Sequence, residues 1–167
     1  SLDPLVLGRT AVVAPVAGDV PPTGPLVWRD GACEHVRILS GTCPDAIGEI
    51  LVSEADVENF GLTLGSVSTV RPAVDGTGVR LEVVGTYEPD DEEWWQGETL
   101  VGISIVFRGN EPTAAHDAWL TIEATFVDAP ILPGETSQAG ALVRTETAGV
   151  DEVLALGDRV RDLSRDV

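Results

Sequence analysis

Few residues in this 167-residue chain could carry chemistry: His35, His116, Cys33, Cys43, the acidic run Asp90-Asp91-Glu92-Glu93, and the adjoining Trp94 and Trp95. A Ser-His-Asp relay tolerates any chain order, so two histidines alone leave it open. Its usual frame is missing, because Gly102-Ile103-Ser104 is followed by Val106 where a GxSxG elbow needs glycine. A phosphate-cradling GxxxxGK[ST] loop needs lysine, and the chain has none. HExxH is absent, and Gly76 and Gly78 stand in a loop between strands without the following helix that a dinucleotide loop requires. The sequence therefore assigns no catalytic residues, no metal ligands and no cofactor.

The acidic run could offer carboxylates to calcium, but it lacks the D-x-[DN]-x-[DN]-G spacing, and a solvated hairpin tip is the simpler reading. Paired acids beside aromatic rings also serve glycosidases. Adjacent acids on an open loop do not hold the fixed separation that this reaction needs. Trp94 and Trp95 would point to opposite faces of an extended segment. Either one anchors the core while the other covers a loop, or the pair forms an exposed contact for a partner or ligand.

Cys33 and Cys43 have nine residues between them, too many for a redox CxxC, and no second pair completes a zinc site. A structural disulfide is the first reading and two buried free thiols the second. A disulfide would place the domain outside the cytoplasm and contribute up to ~3 kcal/mol by restricting the unfolded chain. The charge balance is 28 acidic residues against 10 arginines, a formal net charge of −18. That excess disfavours nucleic acid and anionic membrane surfaces, and it keeps the domain soluble. The absence of methionine suggests a processed or excised chain. No run approaches the ~18 apolar residues of a membrane span.

The elements that must position these residues are mostly strands. Residues 9–16 and 35–39 read as strands, with a Pro-rich linker between them that includes Pro21, Pro22 and Pro25. Residues 49–52 form a short strand. Ser53 then caps a helix, with Asp56 as the third residue of a capping box and Gly61 as the αL stop. Strands are expected over 67–74, 79–87, 100–107, 119–127 and 140–145. A final helix is expected over 151–163, capped by Asp151. The fold class is α+β: a strand-rich lobe with a short helix over 26–128, and a C-terminal helix packed on a smaller base over 136–167. Pro-rich segments at 21–25 and 130–133 would connect the two lobes; one compact domain over 1–167 is the alternative.

The stretch EILVSEADVENFGLTLG followed by VRLEVVGTYEP resembles the external domains of MacB/FtsX-type ABC transporter permeases. The matching residues are Val52, Ser53, Glu54, Gly61, Leu62, Gly65, Val83, Val84, Gly85, Tyr87 and Pro89. Ser66 departs from the aspartate often found after the second glycine. CEHVRILSGTCP and the Trp-rich turn after Tyr87-Glu88-Pro89 resemble a subset from GC-rich bacteria, and the likeness spans about residues 28–107. The resemblance implies a non-catalytic extracytoplasmic domain, tethered to the cell membrane through the transmembrane part of the same chain. It further implies a separate ATPase acting through that part, and an unidentified substrate or accessory partner. The alternatives are a secreted carboxylate-dependent hydrolase and a stand-alone extracellular ligand-binding module.

Overall fold

The computed structural model describes residues 6–13, 23–71, 78–103, 105–108, 110–128 and 136–140. It is strand-rich with two short helices, the expected α+β class. The strands are β1 (Val6–Val13), β2 (Gly24–Arg29), β3 (Val36–Gly41), β4 (Glu49–Ser53), β5 (Val67–Val70), β6 (Val79–Pro89), β7 (Ile105–Arg108), β8 (Glu111–Ala114), β9 (Trp119–Leu120) and β10 (Thr136–Gly140). The helices are α1 (Glu54–Phe60) and α2 (Glu123–Asp128). The large sheet runs β10-β1-β2-β9-β4-β6-β3, with β5 also paired to β6; β7 and β8 form a separate hairpin.

This sheet consists of two halves joined by a short seam. β1, β2 and β10 are antiparallel neighbours, and in the other half β5 pairs antiparallel with the first part of β6 and β3 with its second part. Between the halves lies β9, two residues long. Leu26 and Val27 of β2 pair with Trp119 and Leu120 on one side, and Leu51 of β4 pairs with Leu120 on the other. Ladder contact across the seam is therefore minimal.

β6 alternates in burial along its length. Leu81, Val83, Gly85 and Tyr87 are buried while their neighbours are partly exposed. Yet Leu81 and Val83 pack with Ile50 and Val52 in one core, whereas Tyr87 packs with Leu51, Trp94 and Trp95 in another. A register shift against β4 lies between them, at Ile50/Leu51. A one-residue slip exchanges the faces of a strand, so this bulge lets β6 feed cores on both sides. β4 is buried from Ile50 through Ser53 because both its faces are covered.

The capped helix forms as the sequence requires. Ser53 Oγ accepts the Asp56 N–H at 3.0 Å, and Gly61 closes the helix at φ 67°, its N–H donating to the Val57 carbonyl. Gly65 also holds a positive φ, 82°. The aspartate does not complete the box; its carboxylate is directed elsewhere, as described below.

Two expected strands are corrected. In 119–127 the ladder ends after Leu120 and the chain turns into α2. Thr121 and Thr125 hydroxyls meet at 2.9 Å, and Ile122 and Phe126 repeat the same four-residue spacing, so a helical period competes with the alternation and wins. In 100–107 the extended run breaks at Gly102, φ 79°, and the strand over Ile105–Arg108 pairs with β8 rather than the main sheet. The expected final helix over 151–163, the Pro-rich segment at 130–133 and most of 140–145 lie outside the described residues.

Candidate functional site

The first cluster is built on the turn after β6. Asp91, Gln96 and Gly97 have positive φ, which folds 91–97 into a tight coil beneath the exposed acids. Asp91 accepts the Trp94 N–H, fixing the first indole. That ring stacks on His35 at 4.0 Å and 9°, and Trp95 meets it edge-on at 4.8 Å. Trp95 donates its indole N–H to the His35 carbonyl at 2.8 Å. From the end of β2 the Arg29 guanidinium lies 4.4 Å from the Trp94 centroid, with Glu98 at 3.8 Å. His35 Nδ1 and Asp91 Oδ2 are 2.7 Å apart, and this hydrogen bond holds the Asp91 carboxyl below its usual range. Burial raises Glu98, partly offset by Arg29.

The sequence left open whether these tryptophans are exposed. They are not: Trp94 is 6% and Trp95 2% exposed. A coiled rather than extended turn puts both rings into one core, which removes the opposite-face argument. The surface beside the rings is formed by the acidic turn and the residues that follow it. That surface carries a cleft of about 260 Å³ lined by Pro89, Asp90, Glu92, Trp95, Glu98 and Leu100, among others.

Cys33 and Cys43 are joined in a disulfide, Cα to Cα 6.1 Å. The bridge brackets β3, with Cys33 in the short 3₁₀ turn Ala32–Glu34 that delivers His35 onto Trp94. Cys33→Ala with Cys43→Ala should lower stability by about 2–3 kcal/mol in denaturant unfolding. The native protein should be two hydrogens lighter than the reduced one by intact mass. Two free thiols in native, never-reduced protein would contradict the bridge.

The second cluster lies at the seam, and sequence reading missed it. Asp56 is 2% and Asp117 5% exposed. Asp56 accepts the Asp117 N–H at 3.1 Å and the Trp119 indole N–H at 3.1 Å. Ser53 donates to Asp117 Oδ2 at 2.6 Å, and the Ile103 N–H reaches Oδ1. Burial is the main cause raising the Asp56 carboxyl to about 6, with the Asp117 charge adding to it against the two N–H donors. His116 stacks on Trp119 at 3.9 Å, its Nδ1 2.6 Å from the Asp117 carbonyl, so that nitrogen carries the proton. Its Nε2 is buried without a partner, and burial lowers the imidazole to about 4.

This is no hydrolytic triad. The histidine addresses a carbonyl, and the serine hydroxyl is committed to a carboxylate. Nor do the described residues contain a group of three or more side chains placed to hold a metal. The signal available in the sequence was His116-Asp117 inside the small and apolar run AAHDAWL, where buried polar residues need partners.

No protein-family model and no curated protein matches the sequence. Among solved structures, the chain is similar to the periplasmic region of MacB from Actinobacillus actinomycetemcomitans, with a TM-score of 0.56 over 97% of this chain and 67% of that one. The chain has the fold of that MacB region. Sequence identity is 8%, so the shared property is architecture. It is also similar to a domain assigned to a permease protein from Porphyromonas gingivalis, at 13% identity and a TM-score of 0.47, covering 85% of this chain and 57% of that one. The MacB-like architecture runs through both clusters, since nearly the whole chain aligns. It also extends beyond the stretch of 28–107 over which the sequence motifs were recognised.

Proposed function

We propose that this chain is the non-catalytic external domain of an ABC transporter permease, binding a substrate or accessory partner and passing motion to membrane helices. The observation that carries the reading is the likeness to the MacB periplasmic region across 97% of the chain. The disulfide supports an extracytoplasmic position. Tethering would come through membrane helices of the same polypeptide, and ATP hydrolysis from a separate subunit acting through them. The partner contact falls on the surface over Trp94 and Trp95, where the buried block gives a rigid platform. The hydrolase reading is less favoured: Asp90, Asp91, Glu92 and Glu93 are all exposed, and Asp91 is engaged by His35.

Two measurements test this. The purified domain should show no ATP affinity by calorimetry and no retention on nucleic acid, because its net charge of −18 repels polyanions. The complete native gene should encode transmembrane segments flanking this region. A gene encoding nothing membrane-spanning beyond a signal peptide would overturn the reading, as would measurable ATP affinity.

A further inference from the structure

The cleft beside Trp95 joins two kinds of surface. Its lining holds apolar groups, Pro89, Trp95, Leu100 and Val101, together with three carboxylates, Asp90, Glu92 and Glu98, and no basic residue. Exposed acids on a turn are ordinarily just solvated. Here two of them, Asp90 and Glu92, share a concave apolar lining with Glu98, whose side chain is 25% exposed. The Arg29 guanidinium stands 3.8 Å from Glu98, beyond hydrogen-bond length, and lies over the Trp94 ring. The Glu98 carboxylate therefore keeps lone pairs for another donor.

Size and chemistry limit what can fill the cleft. At about 260 Å³ it falls below the ~300–1,000 Å³ of clefts that enclose whole small molecules, so it suits a single inserted side chain. An anion is repelled by the carboxylates. A divalent metal needs convergent donors, and the described residues contain no group of three or more placed to hold one. An apolar side chain would strip water from Glu98 and return no hydrogen bond. A basic side chain meets both parts of the lining: its alkyl stem covers apolar surface while its cationic head reaches a carboxylate. A second copy of this chain is a poor donor of it, since two bodies of net charge −18 repel each other.

We infer that this cleft seats one basic side chain, arginine or lysine, presented by a protein partner, with Glu98 and Glu92 receiving its charge. That the partner is a protein met outside the membrane rests on the permease reading; the shape and charge of the cleft do not.

NMR titration of the isotope-labelled 167-residue chain with a capped Gly-Arg-Gly peptide tests it. Saturable shifts are expected at the amides of residues 97–101 and at the Trp95 indole N–H, and none with capped Gly-Gln-Gly. Glu98→Gln should weaken the peptide about fivefold. Glu92→Gln, at an exposed position, should weaken it about twofold and gives a reading should Glu98→Gln not fold. Glu58→Gln, exposed on α1 and outside the lining, removes the same charge and should leave the affinity unchanged. No saturation with the arginine peptide, equal shifts with the glutamine peptide, or the same weakening in Glu58→Gln as in the cleft variants would each overturn the inference. Spermidine binding more tightly than the peptide would assign the cleft to a free polyamine and overturn the protein partner. ATP affinity, or a native gene without flanking membrane segments, would overturn the permease reading and leave the peptide shifts as they are.

Discussion

Gly85→Val is expected to destabilise the domain by about 3 kcal/mol or more, enough to unfold a marginal domain. A Cβ at Gly85 would lie 2.6 Å from Leu51 Cδ2, 2.7 Å from the Thr42 carbonyl oxygen and 2.9 Å from the Ser40 carbonyl oxygen. The leucine tip could rotate, but two of the three obstacles are backbone. Backbone cannot yield here without disturbing the β3–β6 ladder, in which Gly85 pairs with Gly41. Gly41 has φ 73°, and a Cβ there would run into the Val84 carbonyl, so the crossing has no slack on either strand. Both register shifts of β6, against β3 and against β4, fall beside this point. Gly65→Ala is the comparison: φ there is positive, 82°, but an added Cβ meets nothing within 4 Å, and the cost should be about 1 kcal/mol. Urea midpoints for the two variants give the comparison directly. Equal midpoints for Gly85→Val and the wild type would show that the strands do not approach this closely.

That glycine also shows what the sequence made legible. Val83-Val84-Gly85 belongs to the family-like motif, and the sequence predicts a strand over 79–87 around it. Neither could reveal that the glycine marks a bulge, because its necessity comes from Ser40, Thr42 and Leu51, which are distant in sequence. The Ser53 cap and the Gly61 stop were legible for the opposite reason, as their partners lie within four residues. The same locality misled at Asp56. Read locally, its side chain completes a capping box; in three dimensions Asp117, 61 residues on, and Trp119 offer buried donors that outcompete the helix's own N-cap. The Trp94–Trp95 pair failed through backbone geometry. An extended turn would have split the rings, but positive φ at Asp91 and Gln96 coils it and buries both. The seam strand has no period to detect, being two residues long, so the polar pair His116-Asp117 within a small and apolar run is the signal it leaves in the sequence.

Asp56→Asn and His116→Gln should shift the pH dependence of global stability in opposite directions. The Asp56 carboxyl moves from 3.8 to about 6 on folding, and the His116 imidazole from 6.5 to about 4. Between about pH 4 and pH 6 the folded protein therefore carries a protonated Asp56 and a neutral His116. The unfolded chain carries an ionised Asp56 and a charged His116 over the same range. Each state holds one proton on this pair, so the two linkages cancel and the pair leaves wild-type stability nearly flat there. Without Asp56, His116 binds a proton only in the unfolded state, and stability relative to wild type should rise with pH. Without His116, Asp56 binds a proton only in the folded state, and relative stability should fall as pH rises. Each slope should amount to roughly 2 kcal/mol over the window, a figure reduced for residual solvent screening at the seam. Denaturant unfolding of the three proteins at pH 4.5, 5.5 and 6.5 measures this, and taking differences from wild type removes the other titrating groups. Slopes of the same sign would mean that the folded protein does not place the proton on the carboxylate in preference to the imidazole. The charge inversion at the seam would then be wrong, whatever the fate of the MacB-like fold around it.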